Sequence, residues 1–114
     1  MVINPAQMQR KAKEAVLNAK TSQICLALNA CGAAKDAATS CDTYADLGVT
    51  DPSGDPLTST YVLTSNPSPT TTTSTVTITG SLTTGSATCF YNCSFNFNDG
   101  TLGKFQKGTG ADCL

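Results

Sequence analysis

Residues 74–98 read STVTITGSLTTGSATCFYNCSFNFN, and apolar and polar side chains alternate in two runs of this stretch. In residues 74–79, Val76 and Ile78 share one face and the threonines share the other, which predicts a half-buried strand. Residues 87–98 alternate again, and one face carries Cys89, Tyr91, Cys93, Phe95 and Phe97. The glycines that bound residues 80–85 predict the turn between the two strands.

Two further strands flank this pair. Residues 60–64 (TYVLT) have strand composition and are followed by a turn with two prolines. Asn98-Asp99-Gly100 is a strong hairpin signal, and residues 101–106 are predicted to return as the last strand. Residues 59–108 are therefore predicted to form a four-stranded antiparallel meander.

The first part of the chain has the composition of a long helix. Residues 6–30 contain no glycine or proline and are rich in Ala, Gln, Lys and Leu. Asn4 is a plausible N-cap before Pro5, and Gly32 is predicted to end the helix just after Cys31. A helix over about residues 5–31 followed by a sheet predicts an α+β fold in which the helix packs on the meander.

This helix carries apolar side chains on two sides. One stripe follows helical spacing through Met8, Ala12, Ala15, Ala19 and Leu26, and a second stripe lies on nearly the opposite side at Leu17, Ile24, Leu28 and Cys31. A core helix of a monomer needs only one such stripe. Two stripes predict neighbours on two sides.

The remaining segments connect these elements within one domain spanning residues 1–114. Residues 32–58 form a connecting loop that carries most of the acidic charge, with a short helical turn predicted at residues 43–47. Residues 109–114 form a C-terminal loop. The run Thr70–Thr73 is interpreted as a loop entering a strand, in preference to a glycosylated linker.

Six cysteines in 114 residues, with no Cys-x-x-Cys pair and no histidine, predict disulfides in place of a zinc site. Cys89 and Cys93 would lie about 13 Å apart on one strand, beyond the roughly 7 Å that a disulfide spans. Cys25 and Cys31 are also too far apart along a helix. The favoured pairs are Cys31–Cys41, Cys89–Cys113 and Cys25–Cys93. A bond from Cys113 to Cys93 remains the alternative.

The side-chain chemistry argues against catalysis and against nucleic-acid binding. Histidine is lacking, no nucleophile or phosphate-binding motif is present, and 7 basic residues nearly balance 8 acidic ones. No enzyme activity, cofactor or metal is therefore expected. Glu14 is expected to form an ordinary helical ion pair, and the aspartates from Asp42 to Asp55 match no calcium-loop pattern. Asn92-Cys93-Ser94 matches a glycosylation acceptor only formally, since it falls inside a predicted strand.

The disulfides place the chain in an oxidising compartment, yet no export signal or membrane span is visible: the longest apolar run is Ile24–Leu28. We therefore expect the sequence to be a segment of a longer exported protein. Basic residues in the first turns of a helix interact unfavourably with the helix dipole. The conflict is smaller if the native helix begins upstream of these residues.

A long amphipathic helix, an acidic connecting loop, a four-stranded meander and Cys113 near the end together resemble the soluble domain of a type IV pilin. The resemblance implies an extracellular filament subunit that acts in pilus assembly, surface attachment or motility. An apolar helical segment upstream would anchor in the inner membrane and bundle in the filament core. The resemblance also implies a C-terminal loop closed by Cys113, although six cysteines exceed the two usual in such pilins.

Two alternatives come from other classes of protein. A type II secretion pseudopilin has the same layout and differs chiefly in calcium use. A free secreted cysteine-rich adhesin or effector needs no upstream helix, so an apolar run of about twenty residues in the upstream gene sequence favours the pilin.

Overall fold

The computed structural model describes residues 5–35, 38–52, 59–66, 75–97 and 100–114. One long helix is followed by two short helical turns and a five-stranded antiparallel sheet. The elements are α1 (Pro5–Ala34), a 3₁₀ turn (Ala38–Ser40), α2 (Tyr44–Leu47), β1 (Thr60–Asn66), β2 (Thr75–Thr84), β3 (Ala87–Asn96), β4 (Thr101–Leu102) and β5 (Gln106–Lys107). The predicted α+β class, with a long helix and an antiparallel sheet, is confirmed.

The sheet is a meander in which β1 pairs with β2 and β2 pairs with β3. The last predicted strand is wrong in detail, because it is divided into β4 and β5, which both pair with β3. Phe95 lies opposite Leu102 in β4, whereas Tyr91 lies opposite Lys107 in β5. The pairing register therefore shifts by one residue between the two short strands, so residues 103–105 interrupt the ladder as a bulge does.

The predicted helix end at Gly32 is wrong, because α1 continues to Ala34. Gly32 is buried where the helix meets β3, and a Cβ atom there would lie 2.6 Å from ring atoms of Phe95. This glycine allows a close approach of backbone to ring, which is a role other than that of a helix cap.

The predicted turn at Gly80 is also wrong, because β2 continues through this residue to Thr84 and the turn lies at Gly85–Ser86. Gly85 has a φ of 63°, which glycine adopts without strain. Buried and partly exposed residues alternate along β2, and Gly80 lies on its buried face between Ile78 and Leu82. A Cβ atom there would overlap Oγ1 of Thr21, so α1 approaches the sheet closely at this point.

The core lies between α1 and the inner face of the sheet. One cluster includes Ile24, Leu28, Ile78 and Phe95, and a second, smaller cluster is built around Leu17 with Tyr61, Leu82 and Cys89. Leu17 and Leu28 are fully buried, and Ile24 is nearly so. The second predicted stripe, which contains Leu17, Ile24 and Leu28, is thus on the face of the helix that packs on the sheet.

The connecting segment contains the predicted helical turn. Thr43 caps α2, since its hydroxyl accepts a hydrogen bond of 3.0 Å from the amide of Asp46. Leu47 is buried, which fixes the turn against the core. Several other predictions fall outside the described residues: the Asn4 cap, the two prolines of the turn after β1, the run Thr70–Thr73, the Asn98-Asp99 part of the hairpin turn, and Asp55.

Candidate assembly surface and disulfide frame

Three disulfides join the six cysteines, and no described cysteine is free. Their Cα–Cα distances are 6.1 Å for Cys25–Cys93, 6.0 Å for Cys31–Cys41 and 4.7 Å for Cys89–Cys113. These are the three pairs that helix and strand geometry favoured. Neither of the pairs that element geometry excluded, Cys25–Cys31 and Cys89–Cys93, is formed, and Cys113 is joined to Cys89 and not to the alternative partner Cys93.

The three bonds fasten different parts of the molecule to the sheet or helix. Cys25–Cys93 is buried and joins the middle of α1 to β3. Cys31–Cys41 closes the short segment after α1, and Cys89–Cys113 ties residues 109–114 to the beginning of β3. Together they fix the helix and both flanking loops relative to the sheet.

The face of α1 that points away from the sheet is apolar and exposed. Leu26 is 68% exposed and Met8 is 55% exposed. Ala12, Ala15 and Ala19 of the same predicted stripe are also exposed. No part of the described chain covers this stripe. We call Met8, Ala12, Ala15, Ala19 and Leu26 the outer stripe.

Two residues that the sequence reasoning left out extend the outer stripe. Ala30 and Ala33 are exposed and continue its spacing beyond Leu26. Ala33 was missed because the helix was expected to end at Gly32; Ala30 lies within the predicted helix and follows the same spacing as the stripe. The helix of 30 residues is about 45 Å long, and small or apolar side chains line its outer face along most of that length.

Charge is segregated along the helix axis. Lys11 is exposed and Lys13 partly so near the start of α1, where the only acidic residue is the buried Glu14. Residues 38–52 carry Asp46 and Asp51, both exposed, and no basic residue, while Lys35 is exposed between α1 and this segment. The start of the helix is therefore basic on its surface, and residues 38–52 are acidic.

Glu14 forms the expected ion pair with Arg10, at 3.1 Å between Nε and Oε1. The structure adds a role that sequence reasoning missed: Glu14 is only 5% exposed, and its two carboxylate oxygens accept hydrogen bonds from the amide of Leu114. A contact across 100 residues leaves no local sequence signal. The one available hint was a glutamate on the inward side of the helix.

Among the described residues, one group could bring three metal-binding side chains together: Glu14, Cys89 and Cys113. Both cysteines are joined in a disulfide, so their sulfurs are not thiolate ligands. The described aspartates Asp42, Asp46 and Asp51 form no such group. Asp42 instead accepts a hydrogen bond of 3.0 Å from the hydroxyl of Ser65 on β1.

Tyr44, the first residue of α2, gives a testable pH dependence. Burial, and then the charge of Asp51, raise the pKa of the Tyr44 hydroxyl above its usual value. Because the folded state holds this proton more tightly, the associated stability is complete below the unfolded-state pKa of about 10 and is lost as the pH rises through the folded-state pKa.

We expect Tyr44→Phe to remove this part of the alkaline loss. The Tyr44 hydroxyl has no hydrogen-bond partner among the described residues, so phenylalanine should cost little at pH 8. Urea midpoints at pH 8 and at pH 11 measure the effect, and the parent protein should lose more stability between them than the variant. Equal losses in both proteins would contradict the assignment.

A groove lies between α1 and residues 49–52. It has a volume of about 300 Å³ and is lined by Lys20, Gln23 and Ile24 on the helix side. The groove is open to solvent and holds no cluster of catalytic groups.

No protein-family model, curated protein or solved structure matches this chain. Within the described residues, no helix is both long and apolar enough to cross a membrane.

Proposed function

We propose that this chain is a structural subunit of a type IV pilus-like filament and that it acts through assembly and surface contact, without catalysis. The observation that carries the proposal is the exposed outer stripe of α1. A helix that buries one face on its own sheet and leaves a continuous apolar face open is suited to packing against other subunits.

The composition of the outer stripe suits close packing between helices. Alanines at positions 12, 15, 19, 30 and 33 let a neighbouring backbone approach, and the two larger side chains, Met8 and Leu26, supply most of the apolar area. Complete burial of such a side chain contributes about 1.5–3 kcal/mol. The gain is repeated at every subunit of a filament, so modest contacts can hold a long assembly together.

The segregated charges favour a head-to-tail arrangement. A basic surface around Lys11 at one end of α1 and an acidic surface around Asp46 beyond the other end are complementary between successive copies. Contacts between two different patches of the same protein produce open helical assemblies when the rotation does not close. This is the geometry that a filament requires.

The disulfide frame suits the same role. It attaches the loop after α1 and the C-terminal segment to the rigid part of the domain, as expected for a protein exposed outside the cell. The proposal also includes an apolar helical segment ahead of residue 1 that continues α1, anchors the subunit in the inner membrane before assembly, and then lies in the filament core. The upstream gene sequence tests that part.

We expect Leu26→Lys to abolish or strongly reduce filament assembly. The variant places a charge at the most exposed apolar position of the outer stripe, where a neighbouring helix would have to desolvate it. The matched control is Asn29→Lys, which adds the same charge to the same helix about 60° around its axis. Neither substitution touches the core, so both variants should fold and form the same disulfides.

The measurement is the amount of this protein in filaments sheared from the surface of producing cells, relative to the total in those cells. Loss with Leu26→Lys and retention with Asn29→Lys are expected. Equal filament yields from both variants would contradict the assignment of the outer stripe, and an absence of filaments from the parent protein would contradict the proposed function.

A further inference from the structure

The segment Asp112–Leu114 is bound to α1 by two adjacent side chains. The amide of Leu114 donates to both carboxylate oxygens of Glu14, at 3.1 and 3.0 Å. The Nη2 group of Arg10 donates to the carbonyl of Asp112. Arg10 and Glu14 are themselves paired at 3.1 Å. The two helix residues therefore hold the backbone on either side of Cys113, and we call them the helix clamp.

The strand side of the same segment is bound as well. The amide of Asp112 donates to the carbonyl of Thr88 at 2.7 Å, and the amide of Thr88 donates to a carboxylate oxygen of Asp112 at 3.4 Å. Thr88 directly precedes Cys89. Non-covalent contacts on both sides therefore bring Cys113 to Cys89.

We propose that the helix clamp directs the choice of disulfide partner: it seats residues 112–114 while the thiols are still reduced, so that Cys113 is oxidised with Cys89. A competing partner exists on the same strand. Cys93 faces the same side of β3 as Cys89, about 13 Å further along it. Residues 112–114 without the clamp can bring Cys113 to either thiol, and pairing with Cys93 would prevent the bond that joins Cys25 to the sheet.

The oxidation itself needs an external acceptor, for which oxidised glutathione serves. The thiolate of one cysteine attacks oxidised glutathione, forms a mixed disulfide and releases one glutathione. The thiolate of the second cysteine then attacks the mixed disulfide and releases the other. In total, Cys89 and Cys113 lose two electrons and two protons, one protein S–S bond forms, and one glutathione S–S bond breaks.

The clamp acts on the second step by raising the effective concentration of Cys113 at Cys89. Glu14 is buried, so its hydrogen bonds to the Leu114 amide are charge-assisted and shielded from water. Glutamine at this position keeps the size of the side chain and removes its charge. We therefore expect Glu14→Gln to lower the equilibrium constant for the Cys89–Cys113 bond by about tenfold.

The test is oxidative refolding of the reduced chain in glutathione buffers, followed by acid quenching and peptide mapping by mass spectrometry. Parent protein and Lys11→Gln, a control that removes an exposed charge from the same turn of α1, should form Cys89–Cys113. Glu14→Gln should form less of it and should accumulate Cys93–Cys113. The Cys31–Cys41 bond in the same molecules is the internal reference and should be unchanged.

Two further measurements keep the proposal falsifiable if Glu14→Gln folds poorly. Arg10→Lys keeps the charge beside Glu14 but shortens the reach to Asp112, so its equilibrium constant should fall between those of the parent and of Glu14→Gln. In Cys89→Ala/Cys113→Ala, the Leu114 amide should exchange its hydrogen at least about tenfold more slowly than when Glu14→Gln is added. Parent-like pairing in both clamp variants, or an unprotected Leu114 amide, would overturn the proposal.

Discussion

The double substitution Cys25→Ala/Cys93→Ala should lower the free energy of unfolding by about 4 kcal/mol. This disulfide closes 68 residues of chain, the longest separation of the three, so its loss restores the most freedom to the unfolded state. Both cysteines are also buried between α1 and β3, so the alanine side chains would stay out of contact with water in the folded state. Denaturant unfolding, followed by circular dichroism, measures the change.

The matched control is Cys31→Ala/Cys41→Ala, which opens a bond of separation 10. Its expected cost is smaller, about 3 kcal/mol on the same chain-entropy argument. The order of the two costs is the prediction. A larger loss from Cys31→Ala/Cys41→Ala would mean that the bond between helix and sheet is not the principal covalent support of this fold.

Gly80→Ala should destabilise the protein by about 2 kcal/mol, even though alanine suits a strand at least as well as glycine. A Cβ atom at this position would overlap Oγ1 of Thr21 and would lie 2.9 Å from Cδ1 of Leu17. Both neighbours lie on the buried face of α1, so helix and sheet would have to move apart. Ser81→Ala, on the opposite face of the same strand, is the control and should change stability little.

A second substitution separates steric overlap from other effects of Gly80→Ala. Thr21 is fully buried, and its hydroxyl has no hydrogen-bond partner among the described residues. Thr21→Ala removes the closest atom, so the double variant Thr21→Ala/Gly80→Ala should recover part of the loss. Additive costs in this double-mutant cycle would contradict the close approach of α1 at Gly80.

Periodicity within a few residues was enough to predict the main elements. Val76 and Ile78 alternate with threonines, and the long run without glycine or proline before Cys31 favours helix, so class and order followed from local patterns. Distances along single elements also excluded Cys89–Cys93 and Cys25–Cys31. The choice of Cys89 as the partner of Cys113 needed in addition the register of the last hairpin, and Cys93 stayed open as the alternative.

The errors arose where a residue is selected by a distant neighbour. Gly32 and Gly80 were interpreted as a helix end and a turn because glycine is the usual local signal for both. Each is instead a point of close approach, to Phe95 and to Thr21 respectively. The sequence next to each glycine cannot predict a contact with a residue about sixty positions away in the chain.

The candidate site also has one part that local spacing predicts and one part that it does not. The outer stripe was predictable because helical spacing alone places Met8 and Leu26 on one face. The clamp formed by Arg10 and Glu14 was not, because its partners, Asp112 and Leu114, lie at the other end of the chain. An ion pair four residues apart on a helix looked complete on its own.

The most direct test of the filament assignment is electron cryomicroscopy of filaments sheared from producing cells, with the subunit identified by peptide mass. We expect a helical filament in which the outer stripe of α1 faces the helices of neighbouring subunits and the sheet faces outward. A protein found only as a free monomer in the medium, or a filament in which Leu26 and Met8 face solvent, would contradict this account.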